Sequence, residues 1–145
     1  MRTAWIAILG LAAVLAAAQL VQPERANPPA DPAASLEAVV KPPQDAAAVL
    51  ERSCRDCHSN RTEWPWYSRI SPVSWLVASD VKEGRARLNF SSWNVYSPEM
   101  SKIRLRTVCE QVRAGNMPPK YYTPLHPQAR LNGQDVSALC GLPGI

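Results

Sequence analysis

The sequence predicts an all-α fold, a small domain of about four helices joined by long ordered loops. Four segments after residue 44 open on a capping residue or a helix-starting proline, and apolar residues then recur at helical spacing. No apolar–polar alternation runs long enough to predict a strand.

Reading from the N-terminus, "MRTAWIAILGLAAVLAAAQLVQ" has one basic residue, Arg2, and then an apolar run from Ala4 to Ala18. This is the pattern of an export signal. The small residues Ala16 to Ala18 fit a cleavage site, whereas continuation through Gln19 to Val21 gives about 18 apolar residues, the low end for a bilayer span. Residues 1–21 are therefore expected to be a signal peptide or an N-terminal membrane anchor. Residues 22–43 carry Pro23, Pro28, Pro29, Pro32, Pro42 and Pro43 with few large apolar residues, and are expected to be an extended, semi-rigid tether. The folded domain is placed at 44–145.

"DAAAVLERSCRDC", from Asp45 to Cys57, reads as one amphipathic helix with Leu50, Cys54 and Cys57 on one face. A loop, "NRTEWPWYSRIS", follows. Ser71 as N-cap and Pro72 at the first helical position start a second helix, in which Val73, Leu76, Val77 and Val81 share a face and Gly84 is a possible early end. The connector "NFSSWNVY" is expected to tuck its aromatics against the core. Ser97, Pro98 and Glu99 start a third helix, with Met100, Ile103, Val108 and Val112 as its core face, ending at Gly115. The proline-rich "NMPPKYYTPLHPQARL" is a positioned loop, and "GQDVSALC", capped by Asn132 and ended by Gly141, is the last helix.

Composition bounds the function. A hydrophobic fraction of 46% in 145 residues excludes disorder throughout, while 14 prolines are about twice ordinary usage and mark a turn-rich chain. The formal charge of +4 is spread among carboxylates instead of forming a basic run. Nucleic-acid binding therefore gains no support beyond a pI of 9.1.

The chemistry rests on "CRDCHSN", Cys54 to Asn60. A redox dithiol wants its cysteines at a helix N-terminus after a strand, where the thiol pKa falls; these lie at a helix C-terminal end. A structural zinc site needs four ligands, typically as two paired sets, whereas Cys109 and Cys140 are single and 31 residues apart. In c-type haem attachment both thiols, Cys54 and Cys57, add to the porphyrin vinyl groups and the adjacent His58 coordinates iron. That reading uses every residue of the motif, and it requires an exported protein. Cys109 and Cys140 would then be the remaining thiols in an oxidising compartment, and are expected to form a disulfide.

The second axial position separates a carrier from a sensor or a peroxidase-like enzyme. Met117, in "GNMPP" just after a helix end, is the first candidate, stiffened by Pro118 and Pro119. His126 is the alternative distal ligand, and Met100 reads as ordinary core. Trp64, Trp66 and Tyr67 are expected to pack on the porphyrin, with Trp75, Trp93, Tyr121 and Tyr122 as further aromatic shell; Arg61 and Arg69 could pair with its propionates.

"SCRDCHSN", "WPWYS", "PVSWLV", "DVKEGRARLNFSSW", "MPPKYY" and "HPQARL", with a "Q…NPP" stretch around Gln22 to Pro29, together resemble the bacterial haem-binding domain family of small single-haem c-type proteins. The resemblance spans nearly the whole chain. It implies one covalent haem c on Cys54 and Cys57 with His58 as proximal ligand, and its methionine-bearing loop supports Met117. The Cys109–Cys140 pair lies outside that family pattern. The expectation is a periplasmic monohaem electron carrier, soluble or held to the inner membrane through residues 4–21, with redox proteins as partners, no nucleic acid and no substrate chemistry of its own.

Overall fold

Seven α-helices and four short 3-10 helices make up the regular structure in a computed structural model that describes residues 2–144, and no strand occurs among the described residues. The all-α expectation holds. The helices are α1 (Arg2–Ala18), α2 (Leu36–Val40), α3 (Gln44–Ser53), α4 (Arg55–His58), α5 (Val73–Arg87), α6 (Pro98–Arg113) and α7 (Gly133–Cys140).

The late helices start where their caps predict. Ser97 Oγ accepts from Met100 N at 3.2 Å at the head of α6, with Pro98 in the first turn. At α7 Asn132 Oδ1 accepts from Gln134 N and Asp135 N, and Asp135 Oδ2 accepts from Asn132 N in return. Asp135 also meets Arg52 Nη2 at 2.7 Å, which ties α7 to the end of α3. The Cys109–Cys140 disulfide joins α6 to α7 across 31 residues.

α7 packs against both α3 and α6. Between them lies the core, built on Leu50, Phe90, Trp93, Leu105, Val112 and Leu139. Phe90 and Trp93 come from the 3-10 connector Phe90–Val95, so that segment does tuck its aromatics inward. Trp93 is fully buried, and its Nε1 donates to Ser101 Oγ at 2.8 Å.

Several sequence expectations are corrected. The helix expected over 45–57 breaks at Cys54, whose φ of −127° and ψ of −32° leave the helical region; α4 restarts on a new axis and packs on α5. No glycine or proline signals this break. α5 starts at Val73, with Pro72 before it and Ser71 Oγ bonded to Ser74 Oγ instead of capping the backbone. It continues past Gly84 to Arg87, because the glycine serves a close approach inside the helix. In α6 the core stripe is Leu105, Cys109 and Val112, while Met100 and Ile103 are exposed. The two stripes have the same helical period, and the disulfide and Leu105 select the second.

Packing also extends upstream of the boundary expected at Gln44. Leu36 on α2 is only 1% exposed and belongs to the core cluster, where α2 packs against the Phe90–Val95 segment. Upstream of it, residues 22–29 have no regular secondary structure and are held to the domain by side-chain hydrogen bonds. Within the segment expected to be an extended, semi-rigid tether, residues 22–29 are thus hydrogen-bonded to the domain. α1 buries none of its side chains. Among the described residues no helix is long and apolar enough to cross a membrane.

Candidate functional site

The break at Cys54 sets the geometry of the motif. Cys54 closes α3 through its N–H to Leu50 O at 3.1 Å, and its own carbonyl accepts from His58 N at 3.0 Å, so one turn carries both thiols and the imidazole. The two thiols are free and half-buried. Burial pushes both up to about 12, helped at Cys54 by its neighbour Cys57 and at Cys57 by Asp80 and Asp56. A dithiol redox centre needs the opposite shift. A zinc site fares no better, since Cys109 and Cys140 are bonded to each other and no cluster of three or more His, Cys, Asp or Glu suited to a metal occurs among the described residues.

His58 is oriented by backbone. Its Nδ1–H donates to Gly84 O, in the last turn of α5, at 3.0 Å and to Leu88 O, just past the helix end, at 3.1 Å. With the proton held on Nδ1, the Nε2 lone pair is left for a metal, the way protein ligands to metals fix their tautomer. Burial lowers the His58 pKa despite those two bonds, which favours the neutral ring. Gly84 makes this approach possible: a Cβ there would overlap Cys57 O and sit 3.0 Å from Cys57 C. The glycine that looked like a helix end is a contact point.

Beside the motif a cleft is lined by Cys57, Tyr67, Val77, Val81, Tyr122 and His126, with Asp56 and Asp80 at its edge. Its volume is about 30 Å³, room for a water, and earlier on α5 Val73 and Leu76 are exposed. Tyr67 Oη is hydrogen-bonded to His126 Nε2, and the His126 ring stacks on Tyr122 at 4.0 Å and 7°. Tyr122 Oη in turn donates to Asp56 Oδ2 at 3.3 Å.

A model of the haem-binding domain family matches residues 13–141. The chain belongs to the haem-binding domain family. The match reaches back through the docked residues 22–29 and forward past the end of α7 to residue 141. No curated protein and no solved structure matches the chain.

The residues present fit a haem. Two thiols and an imidazole with its Nε2 lone pair free lie within one turn, Val77 and Val81 of α5 line the adjoining cleft, and Trp64 Nε1 is a buried donor without a partner among the described residues. The other expected residues divide. Tyr67 and His126 line the Cys57 cleft, whereas Met117 is not among its lining residues and is 38% exposed. Trp66 is 74% exposed, and Trp93 is core. Trp75 Nε1 bonds to Val21 O, Tyr121 Oη to Asp80, and Arg61 pairs with Glu37 and Glu51. Sequence reasoning missed Gly84 and Arg85, although "EGRARL" held a clue: a glycine inside a continuous helical pattern asks for a packing reason.

Proposed function

We propose that this haem-binding domain protein is an exported monohaem c-type cytochrome that carries electrons. Thioethers at Cys54 and Cys57 hold the porphyrin, and His58 Nε2 is the proximal iron ligand. The single observation behind this reading is the pair of carbonyls, Gly84 O and Leu88 O, that occupy His58 Nδ1 and leave the Nε2 lone pair available. Haem, when bound, supplies a one-electron couple. The chain's part is to fix the imidazole, exclude water with Val77, Val81, Tyr67 and Tyr122, and offer an edge to redox partner proteins.

The distal ligand comes from the loop between α6 and α7. Met117 is the first choice: its thioether lies at a helix end, Pro118 and Pro119 stiffen the chain, and its exposure leaves it without a packing role. A second reading, His126, is favoured by its place in the Cys57 cleft. If neither binds, the protein is a sensor or peroxidase-like enzyme with an open sixth site. The apolar α1 supports export to the periplasm, with the helix removed or kept as an anchor.

The test is the visible spectrum of the purified protein with its single-residue variants. Haem that stays on the chain in denaturant establishes the thioethers, and its loss to extraction would sink the covalent reading. A thioether-to-iron band in the far red, abolished in Met117→Ala, supports the carrier with Met117. A change confined to His126→Ala assigns His126 instead. High-spin iron with rapid carbon monoxide binding rejects the carrier.

A further inference from the structure

We propose that residues 22–29 are a positioning strap for His58 and that Arg85 is the residue through which the strap acts, an inference that rests on His58 being the iron ligand. Arg85 spends its donors on four neutral acceptors. Nε donates to Ser59 O at 2.8 Å, Nη1 to Ala26 O at 2.9 Å, and Nη2 to Asn27 Oδ1 at 2.7 Å and Thr62 Oγ1 at 2.8 Å. No carboxylate is among these partners, so the guanidinium is placed here for its rigid fork of donors and not as half of an ion pair.

Its location gives the fork a purpose. Ser59 directly follows His58 and is 1% exposed, while Arg85 directly follows Gly84, whose carbonyl holds the imidazole. The ligand is therefore fixed twice from one turn of α5, at the ring by Gly84 and Leu88 and at the main chain by Arg85. The strap completes the clamp from outside. Asn27 Nδ2 donates to Thr62 O at 2.9 Å, and Asn60 Nδ2 donates to Pro29 O at 3.1 Å. Asn60 is anchored inward through its N–H to Ser91 Oγ and through Asn89.

The same segment is tied further back by Arg25 Nη1 to Ser68 O and Gln22 Nε2 to Ser71 Oγ. Pro23, Pro28 and Pro29 lower the entropy lost in holding it extended. A plain spacer needs none of these contacts. A strap that keeps the segment after His58 in one place gives the imidazole plane one orientation over the iron.

The experiment uses the full-length ferric holoprotein and its Asn27→Ala, Arg85→Ala and Arg85→Lys variants. Paramagnetic proton spectra of the haem methyl groups report the imidazole plane, and thermal melts report stability. Cys140→Ser, which unties α6 from α7, serves as a destabilised control. Asn27→Ala and Arg85→Ala are expected to shift or double the haem-methyl signals while keeping covalent haem, with partial recovery in Arg85→Lys and no such change in the control. Unchanged methyl shifts in Asn27→Ala and Arg85→Ala, or the same change in the control, overturn the strap whatever happens to stability. Should Arg85→Ala fail to accumulate, Asn27→Ala decides, because it removes only an exposed amide. Absence of covalent haem from the unaltered protein would instead defeat the haem reading itself, and the strap with it.

Discussion

Replacing Gly84 by alanine opposes two forces of known sign. Within the interior of α5 the change gains about 1 kcal/mol of helix propensity. Against this, the new Cβ overlaps the Cys57 carbonyl oxygen and sits 3.0 Å from its carbonyl carbon and 3.2 Å from the Cys57 Cβ. Carbon atoms rest about 3.5–4.0 Å apart, so α4 and α5 must separate by about 0.5–1 Å. Overpacking of that kind costs roughly 1–3 kcal/mol. The separation also stretches the 3.0 Å bond from His58 Nδ1 to Gly84 O past useful length, a further loss of about 1 kcal/mol. The net expectation is destabilisation by roughly 1–3 kcal/mol, or about 4–12 °C in Tm for a chain of this size. Circular dichroism melts of both proteins measure it, and staining for covalent haem on denaturing gels should show reduced attachment. A Gly84→Ala protein as stable as the original, or more so, would refute the contact argument, since helix propensity alone would then have won.

Three further outcomes follow from the same geometry. With both thiols raised to about 12 by burial, the apoprotein binds more protons folded than unfolded between about pH 9 and 12; its stability should hold below that range and fall through it, and alkylation of Cys54 and Cys57 in the native state at pH 8 should be far slower than in denaturant. Because burial depresses the His58 pKa below its ordinary value of 6.5, its contribution is present above that pH and is lost as pH falls through the lowered value; His58→Gln apoprotein should lose less stability on acidification, as urea midpoints at successive pH values would reveal. Cys109→Ser with Cys140→Ser opens a 31-residue loop and should cost about 3–4 kcal/mol in the chain-entropy model, read from the denaturant midpoint without reductant.

What could be read in advance was local. Ser97 with Pro98, and Asn132 three residues before Asp135, announce helix starts by side chains that satisfy free N–H groups, and the structure uses them so. The disulfide followed from pairing arithmetic, and the motifs resembled the haem-binding domain family whose model the chain matches. What escaped was tertiary. Nothing beside Cys54 marks a helix break, because the break exists to bring α4 onto α5. Leu36 is a lone leucine in a proline-rich stretch, and only the groove beside Phe90 and Trp93 gives it a burial site. Asn27 and Arg85 are 58 residues apart, and their bond exists only once α5 and the strap have met. Met117 illustrates the limit from the other side. Its flanking prolines suggest a fixed height above a ring, yet which loop side chain points into a cleft is decided by packing such as that of His126 on Tyr122.

The docked strap changes how far the domain can travel. Residues 22–43 as a free, proline-stiffened spacer would extend by about 3.1 Å each, and the domain could sweep roughly 70 Å from its point of attachment. Pinned as they are, with Gln19 already bonded to Arg69 O and Ser71 N, those residues add almost no reach. If the first helix stays in a membrane, its haem domain stands close to the surface in a set attitude. Any partner must then come to it, and whichever edge it presents decides what can dock.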